Sequence, residues 1–143
     1  MDEARMILEI HPYVGIGALR LGAPAAEIRR IVGASYSELK KDTGAWTDAF
    51  EALGIHAHYD PSGTCQALEV FNPTVPVFMG KELIGRKYDE LQSWLQMLDP
   101  ELQAGDSSLT SLELGFRVYA PTARRRPDAP AESVVVFTRG YYV

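Results

Sequence analysis

The residues best suited to chemistry alternate along one short segment, Ile55-His56-Ala57-His58-Tyr59-Asp60. Successive side chains of an extended strand point to opposite faces, so His56, His58 and Asp60 project from one side, spaced as three potential metal ligands. The single cysteine, Cys65, follows the turn Asp60-Pro61-Ser62-Gly63. A two-residue loop there places Cys65 opposite His58 as a fourth candidate ligand, whereas a three-residue loop with Gly63 as a bulge places Gln66 opposite instead. The apolar alternation favours the first register and the turn residues favour the second, so both stay open. A metal-binding hydrolase using His56, His58 and Asp60 is the alternative functional reading. The preferred one is plainer: Ile55, Ala57 and Tyr59 face a core while the two histidines and Asp60 lie on the solvated face of a half-buried strand. A hydrolytic site would also need a general base and a pocket, and the sequence signals neither. No metal, cofactor or catalytic residue is assigned.

Other chemistries lack their residues. There is no Gly-x-Ser-x-Gly elbow, and Cys65 has no basic neighbour in sequence to lower its pKa. Gly15, Gly17 and Gly22 precede a helix, yet their spacing fits neither the dinucleotide fingerprint nor a phosphate loop with its lysine. Arg124-Arg125-Arg126, set between Pro121 and Pro127, suits either a grip on phosphate or the solvated, mobile tip of a loop, and the tip is the favoured reading. A net charge of -5 argues against a general nucleic-acid binder and leaves a basic protein partner open. One cysteine excludes an internal disulfide framework. The start, Met1-Asp2-Glu3-Ala4-Arg5, is no secretory signal, and no apolar run reaches the ~18 residues of a membrane helix, so a cytoplasmic location is expected.

The elements that must position these residues come in two similar sets. Gly17, Leu21 and Gly22 align with Gly80, Ile84 and Gly85, and at the same offset of 63 Glu27, Ile28 and Ile31 fall on Glu90, Leu91 and Trp94. Each set predicts a strand or turn followed by an amphipathic helix. The first helix starts at Pro24 and stops at Gly33; the second runs from about Lys87 to Leu98, with Tyr88, Leu91, Trp94, Leu95 and Leu98 on one stripe and Pro100 ending it. Strand 53–59 lies over 114–120, and the following strands are Ala67–Phe71 and Ser133–Phe137, with a second connecting loop about five residues longer. Residues 35–51 read as a short helix or loop and then an edge strand holding Trp46 and Phe50, and Met6–Ile10 as an added strand. Asn72-Pro73-Thr74-Val75-Pro76 reads as the hinge between units.

The expected fold is α+β: one domain over residues 1–143, with two repeated helix-plus-β-hairpin units, at about 14–73 and 76–143, forming an antiparallel sheet with the helices packed on one face. The alignment places His56 and His58 over Arg117 and Tyr119. One outer sheet surface then carries His56, His58, Asp60, Arg117 and Tyr119, with Arg139 and Tyr141 beside them. Tyrosine and arginine are enriched at interface hot spots, so this surface is the candidate partner-binding site.

The stretch Leu21-Gly22-Ala23-Pro24-Ala25-Ala26-Glu27-Ile28-Arg29-Arg30-Ile31-Val32-Gly33, followed by a hairpin and then by a second copy, resembles the duplicated unit of beta-lactamase inhibitor protein and the single unit of the lipoprotein BamE. In its small size and acidity, and without a catalytic motif, the chain also resembles the immunity proteins of bacterial toxin systems. These resemblances imply a non-enzymatic, cytosolic inhibitor that covers a basic toxin domain. The acids cluster where bases are missing: no Lys or Arg occurs between Lys41 and Lys81, or between Lys87 and Arg117. A basic partner is expected to meet those stretches.

Overall fold

A computed structural model describes residues 6–142. A first strand, β1 (Ile7–His11), leads into a short hairpin, β2 (Gly15–Ile16) and β3 (Leu19–Arg20). Helix α1 (Ala25–Val32) follows, then four strands: β4 (Ser37–Lys40), β5 (Trp46–Phe50), β6 (Ile55–Tyr59) and β7 (Cys65–Phe71). A second hairpin, β8 (Val75–Phe78) and β9 (Lys81–Glu82), precedes helix α2 (Tyr88–Leu98). Four more strands end the chain: β10 (Gln103–Ala104), β11 (Ser108–Ser111), β12 (Phe116–Tyr119) and β13 (Ser133–Phe137).

The strands form two sheets, where one antiparallel sheet was expected. The larger has the order β10-β11-β12-β13-β7-β6-β5-β4 and is antiparallel throughout. The smaller has the order β3-β2-β1-β8-β9, and β1 enters it parallel to β8, with Ile7 opposite Val75 and Glu9 opposite Val77. Val75 and Pro76 therefore belong to a strand, and the connection between the two halves shrinks to the turn at Asn72, Pro73 and Thr74. Residues 37–40 are a strand too. β4 forms the edge, every one of its side chains exposed, and β5 lies inside it. Ser37, Glu38 and Lys40 suit that edge because polar and charged side chains discourage further strand pairing.

One core joins these layers. Ile28 of α1, Leu91 and Leu95 of α2, and Ile10, Ile16 and Phe78 of the smaller sheet pack with Ile55, Ala57, Leu68, Val70, Phe116, Val118, Val134 and Val136 of the larger sheet. The alternation of β6 is thereby explained: Ile55, Ala57 and Tyr59 face this core and the histidines face away. Neither helix start has a side-chain cap. The hairpin loops supply acceptors instead, since Ala25 N–H donates to Gly63 O (3.0 Å), and Tyr88 and Asp89 N–H donate to Ala129 O (2.8 Å) and Pro127 O (2.9 Å). Just upstream, Gly22 and Cys65 exchange bonds with the opposite loop (Gly22 N to Cys65 O, Cys65 N to Ala23 O), as do Gly85 and Ala131 (Gly85 N to Ala131 O, Ala131 N to Arg86 O). Gly33, at φ 62, closes α1 in the left-handed region that glycine adopts without a Cβ clash.

The long loop between β12 and β13 is thus tied to the start of α2 and is no free tip. Ala123, Ala129 and Ala131 are buried while Arg124, Arg125 and Arg126 remain exposed.

Candidate interaction site

The outer face of the larger sheet is built around its central pair, β7 and β13. Register sets Glu69 opposite both His56 and Val135, and Val135 opposite Arg117. A row therefore crosses the face from His56 through Glu69 and Val135 to Arg117. Beside it, His58, Glu69, Ser107, Ser108, Arg117, Tyr119, Ser133, Val135, Tyr141 and Tyr142 line a depression of about 310 Å³.

Each imidazole is held through one nitrogen. His58 Nδ1 shares a hydrogen bond with Thr47 Oγ1 (2.7 Å), and His56 Nε2–H donates to Glu51 Oε1 (2.8 Å). The opposite nitrogens face one carboxylate oxygen: Glu69 Oε1 lies 3.6 Å from His58 Nε2 and 3.8 Å from His56 Nδ1. His58 is the main cause that holds the Glu69 carboxyl below its ordinary pKa, against the opposing effect of burial; His56 adds to it. On the far side of Val135, Arg117 Nη2 donates to Ser108 Oγ (3.1 Å) and the guanidinium lies 5.0 Å from the centre of the Tyr142 ring. The C-terminal tyrosines fold back over this end: Tyr141 stacks on Phe137 and Tyr142 meets it edge-on. The Ser133 hydroxyl is buried on the Glu69 side of the depression and adds to the lowering of that carboxyl.

Of the residues expected on this surface, His58, Arg117, Tyr119 and Tyr141 come together around the depression, and His56 borders it through Glu69. Asp60 and Arg139 do not line it. Asp60 organises its own turn, Oδ1 accepting from the Ser62 and Thr64 N–H groups and the Ser62 hydroxyl, and Oδ2 from Gln66 Nε2. These bonds, the Ser62 hydroxyl first, keep its carboxyl low. Arg139 lies over the Tyr13 ring, 4.0 Å from its centre.

The hairpin register differs from both sequence alternatives. Three residues close the loop, Asp60 N–H donating to Thr64 O, and Tyr59 faces Cys65; a bulge then shifts the pairing so that Ala67, and neither Cys65 nor Gln66, lies opposite His58. Cys65 is consequently in the core, its thiol donating to Ala67 O, and burial pushes it up to about 12. With Cys65 inward and Asp60 spent on its turn, the proposed ligand set is taken apart. Among the described residues, no group of three or more His, Cys, Asp or Glu side chains is arranged to hold a metal ion. No helix among them is long and apolar enough to cross a membrane.

Sequence reasoning missed Glu69, Ser108, Ser133 and Tyr142. Glu69 had a signal, as the one charge within Ala67-Leu68-Glu69-Val70-Phe71. The chain matches no family model, no curated protein and no solved structure.

Proposed function

We propose that this chain is a non-enzymatic protein-binding inhibitor that acts by covering its target, in its narrower form a cytosolic immunity protein for a basic toxin domain. The observation that carries the reading is the outer sheet face, where Arg117, Tyr119, Tyr141 and Tyr142 surround one depression with exposed aromatic rims. Aromatic and arginine side chains around a partly desolvated centre are the composition of interface hot spots.

A tandem-repeat scaffold belongs to the same proposal. Hairpin, helix and four strands follow one another in β2–β7 and again in β8–β13. The hydrogen bonds of Gly22 and Ala25 with the β6–β7 loop have counterparts in those of Gly85 and Tyr88 with the β12–β13 loop. In the central pair, Ala67 faces Phe137 and Phe71 faces Ser133, a reciprocal match. The resemblance to beta-lactamase inhibitor protein rests on the coarser order of a helix and then a hairpin, taken twice, and it is part of the same proposal.

The acidic stretches contribute less surface charge than their residue counts imply. Asp48 and Asp99 are buried, while Asp42, Glu51, Asp89, Glu90, Glu101, Asp106 and Glu113 are exposed. Those exposed carboxylates steer a basic partner, and salt slows its arrival. Co-expression with a toxin domain taken from a neighbouring gene tests the reading: growth rescue and a 1:1 complex on size exclusion are expected, and neither rescue nor complex overturns it. Within a complex, Tyr119→Ala is expected to weaken binding tenfold or more, at about 1.4 kcal/mol per decade.

A further inference from the structure

We infer that the depression on the outer sheet face is a carboxylate subsite, filled by one Asp or Glu side chain of the bound protein. The inference rests on the protein-binding reading above and specifies the chemistry at its centre.

Arg117 is the only Arg or Lys among the lining residues, and among the described residues it forms no ion pair. Its known contacts are the Ser108 hydroxyl and the Tyr142 ring, which fix the guanidinium without neutralising it. A half-buried guanidinium held in place but given no anion by the described residues is a preorganised receptor, because the ordering cost of its long side chain is already met. Glu69 does not serve as its counter-ion. It lies two strands away, about 9 to 10 Å at the backbone, with Val135 between them, and its carboxylate faces His56 and His58.

Ser133, only 7% exposed, lines the depression on the Glu69 side and helps hold that carboxyl low, so Arg117 is the group left to meet an incoming anion. The chemistry favours a carboxylate over a phosphate. One planar guanidinium matches one planar carboxylate through two parallel bonds, whereas a phosphate carries more charge than a single cation offsets. About 310 Å³ also holds the methylene stem of an acidic side chain, with Tyr119 and Tyr141 at 45% and 39% exposure available to cover it. A basic partner overall is compatible with one such acid, since steering follows the summed charge and the subsite one local pair.

The test uses the full chain, ¹⁵N-labelled, and two blocked peptides, acetyl-Gly-Glu-Gly-amide and acetyl-Gly-Gln-Gly-amide. The glutamate peptide is expected to shift the Arg117 Nε–H resonance and the Ser108 and Ser133 amides saturably in the millimolar range. The glutamine peptide, and the glutamate peptide on Arg117→Gln, should bind at least about tenfold more weakly. Arg117→Lys, which keeps charge and loses the fork, should fall between. If Arg117→Gln does not fold, the comparison of the two peptides on the native chain carries the test alone. Equal affinity for both peptides, no saturable shift, an undiminished response in folded Arg117→Gln, or tighter binding of inorganic phosphate than of the glutamate peptide each overturns the inference. The two proposals fail separately. A toxin complex unaffected by Arg117→Gln removes the subsite and leaves the inhibitor reading, whereas peptide binding without any toxin complex does the reverse.

Discussion

Arg29 and Asp48 form an ion pair between α1 and the inner face of the larger sheet, and its removal gives a sharp test of how the helix is held. Asp48 is fully buried. Arg29 Nε donates to its Oδ2 at 2.8 Å and Nη2 to its Oδ1 at 3.0 Å, a two-pronged contact, and Nη2 also reaches Glu38 at 2.8 Å. The Tyr36 ring stacks under the guanidinium, 4.6 Å away. The hydrogen bond to Asp48 is the foremost cause that raises the Arg29 pKa above its ordinary value. Arg29→Met leaves a carboxylate with no counter-charge in the core, and breaking a buried pair in this way costs about 3–5 kcal/mol. For a chain of this size that is a fall in Tm of roughly 10 to 20 °C. Asp48→Leu costs less, because the Arg29 side chain is 27% exposed and keeps Glu38 as a partner. The double variant should recover most of the loss, to within about 1–2 kcal/mol of the native chain, since apolar replacement of a buried pair is often neutral. Leu109 already occupies a comparable place, facing Val118 across β11 and β12 as Asp48 faces Ala57 across β5 and β6. The assay is urea unfolding followed by fluorescence, with Trp46 packed on Tyr59 at 5.1 Å as a local reporter. A loss below about 1 kcal/mol, or a double variant no more stable than Arg29→Met, would refute the reasoning.

Other outcomes follow from single contacts. Glu69 has a lowered pKa, so its charged form contributes stability above the unfolded carboxyl pKa and loses it as pH falls through the lower folded value. Glu69→Gln should therefore destabilise at pH 7 and have little effect below about pH 3, as read from urea midpoints; an equal loss at both values contradicts the pairing with His58. Gly54→Ala places a Cβ 2.2 Å from the Phe71 carbonyl oxygen at φ 71, whereas Gly33→Ala at φ 62 meets nothing closer than 3.7 Å. The second should cost about 1–2 kcal/mol and the first clearly more, measured by thermal unfolding. The Cys65 thiol, buried and pushed up to about 12, should react with a disulfide reagent at pH 8 only at the rate of opening, and at full speed in urea.

The sequence by itself determined the local elements. Pro24 and Gly33 bracket α1 because one has its φ preset for a helix start and the other tolerates a left-handed stop, and the stripe of Tyr88, Leu91 and Leu95 sets the buried side of α2. The alternation of Ile55, Ala57 and Tyr59 likewise fixed which side of β6 the histidines take, as the period of a strand must. The period gave no partner. Only the tertiary structure decided that Ala67 faces His58, because a bulge changes register without altering composition; that shift brought Glu69 to the imidazoles, while the three-residue loop had already set Cys65 opposite the core-facing Tyr59. Ser37–Lys40 was illegible as a strand because a polar edge has no buried face to impose alternation. Asp48 entered the core because Arg29, nineteen residues earlier, meets it there, and the depression at Arg117 arose where five strands converge with Tyr141 and Tyr142. Such pairings join residues far apart in sequence, so they depend on how the sheet is assembled and leave no local pattern to read.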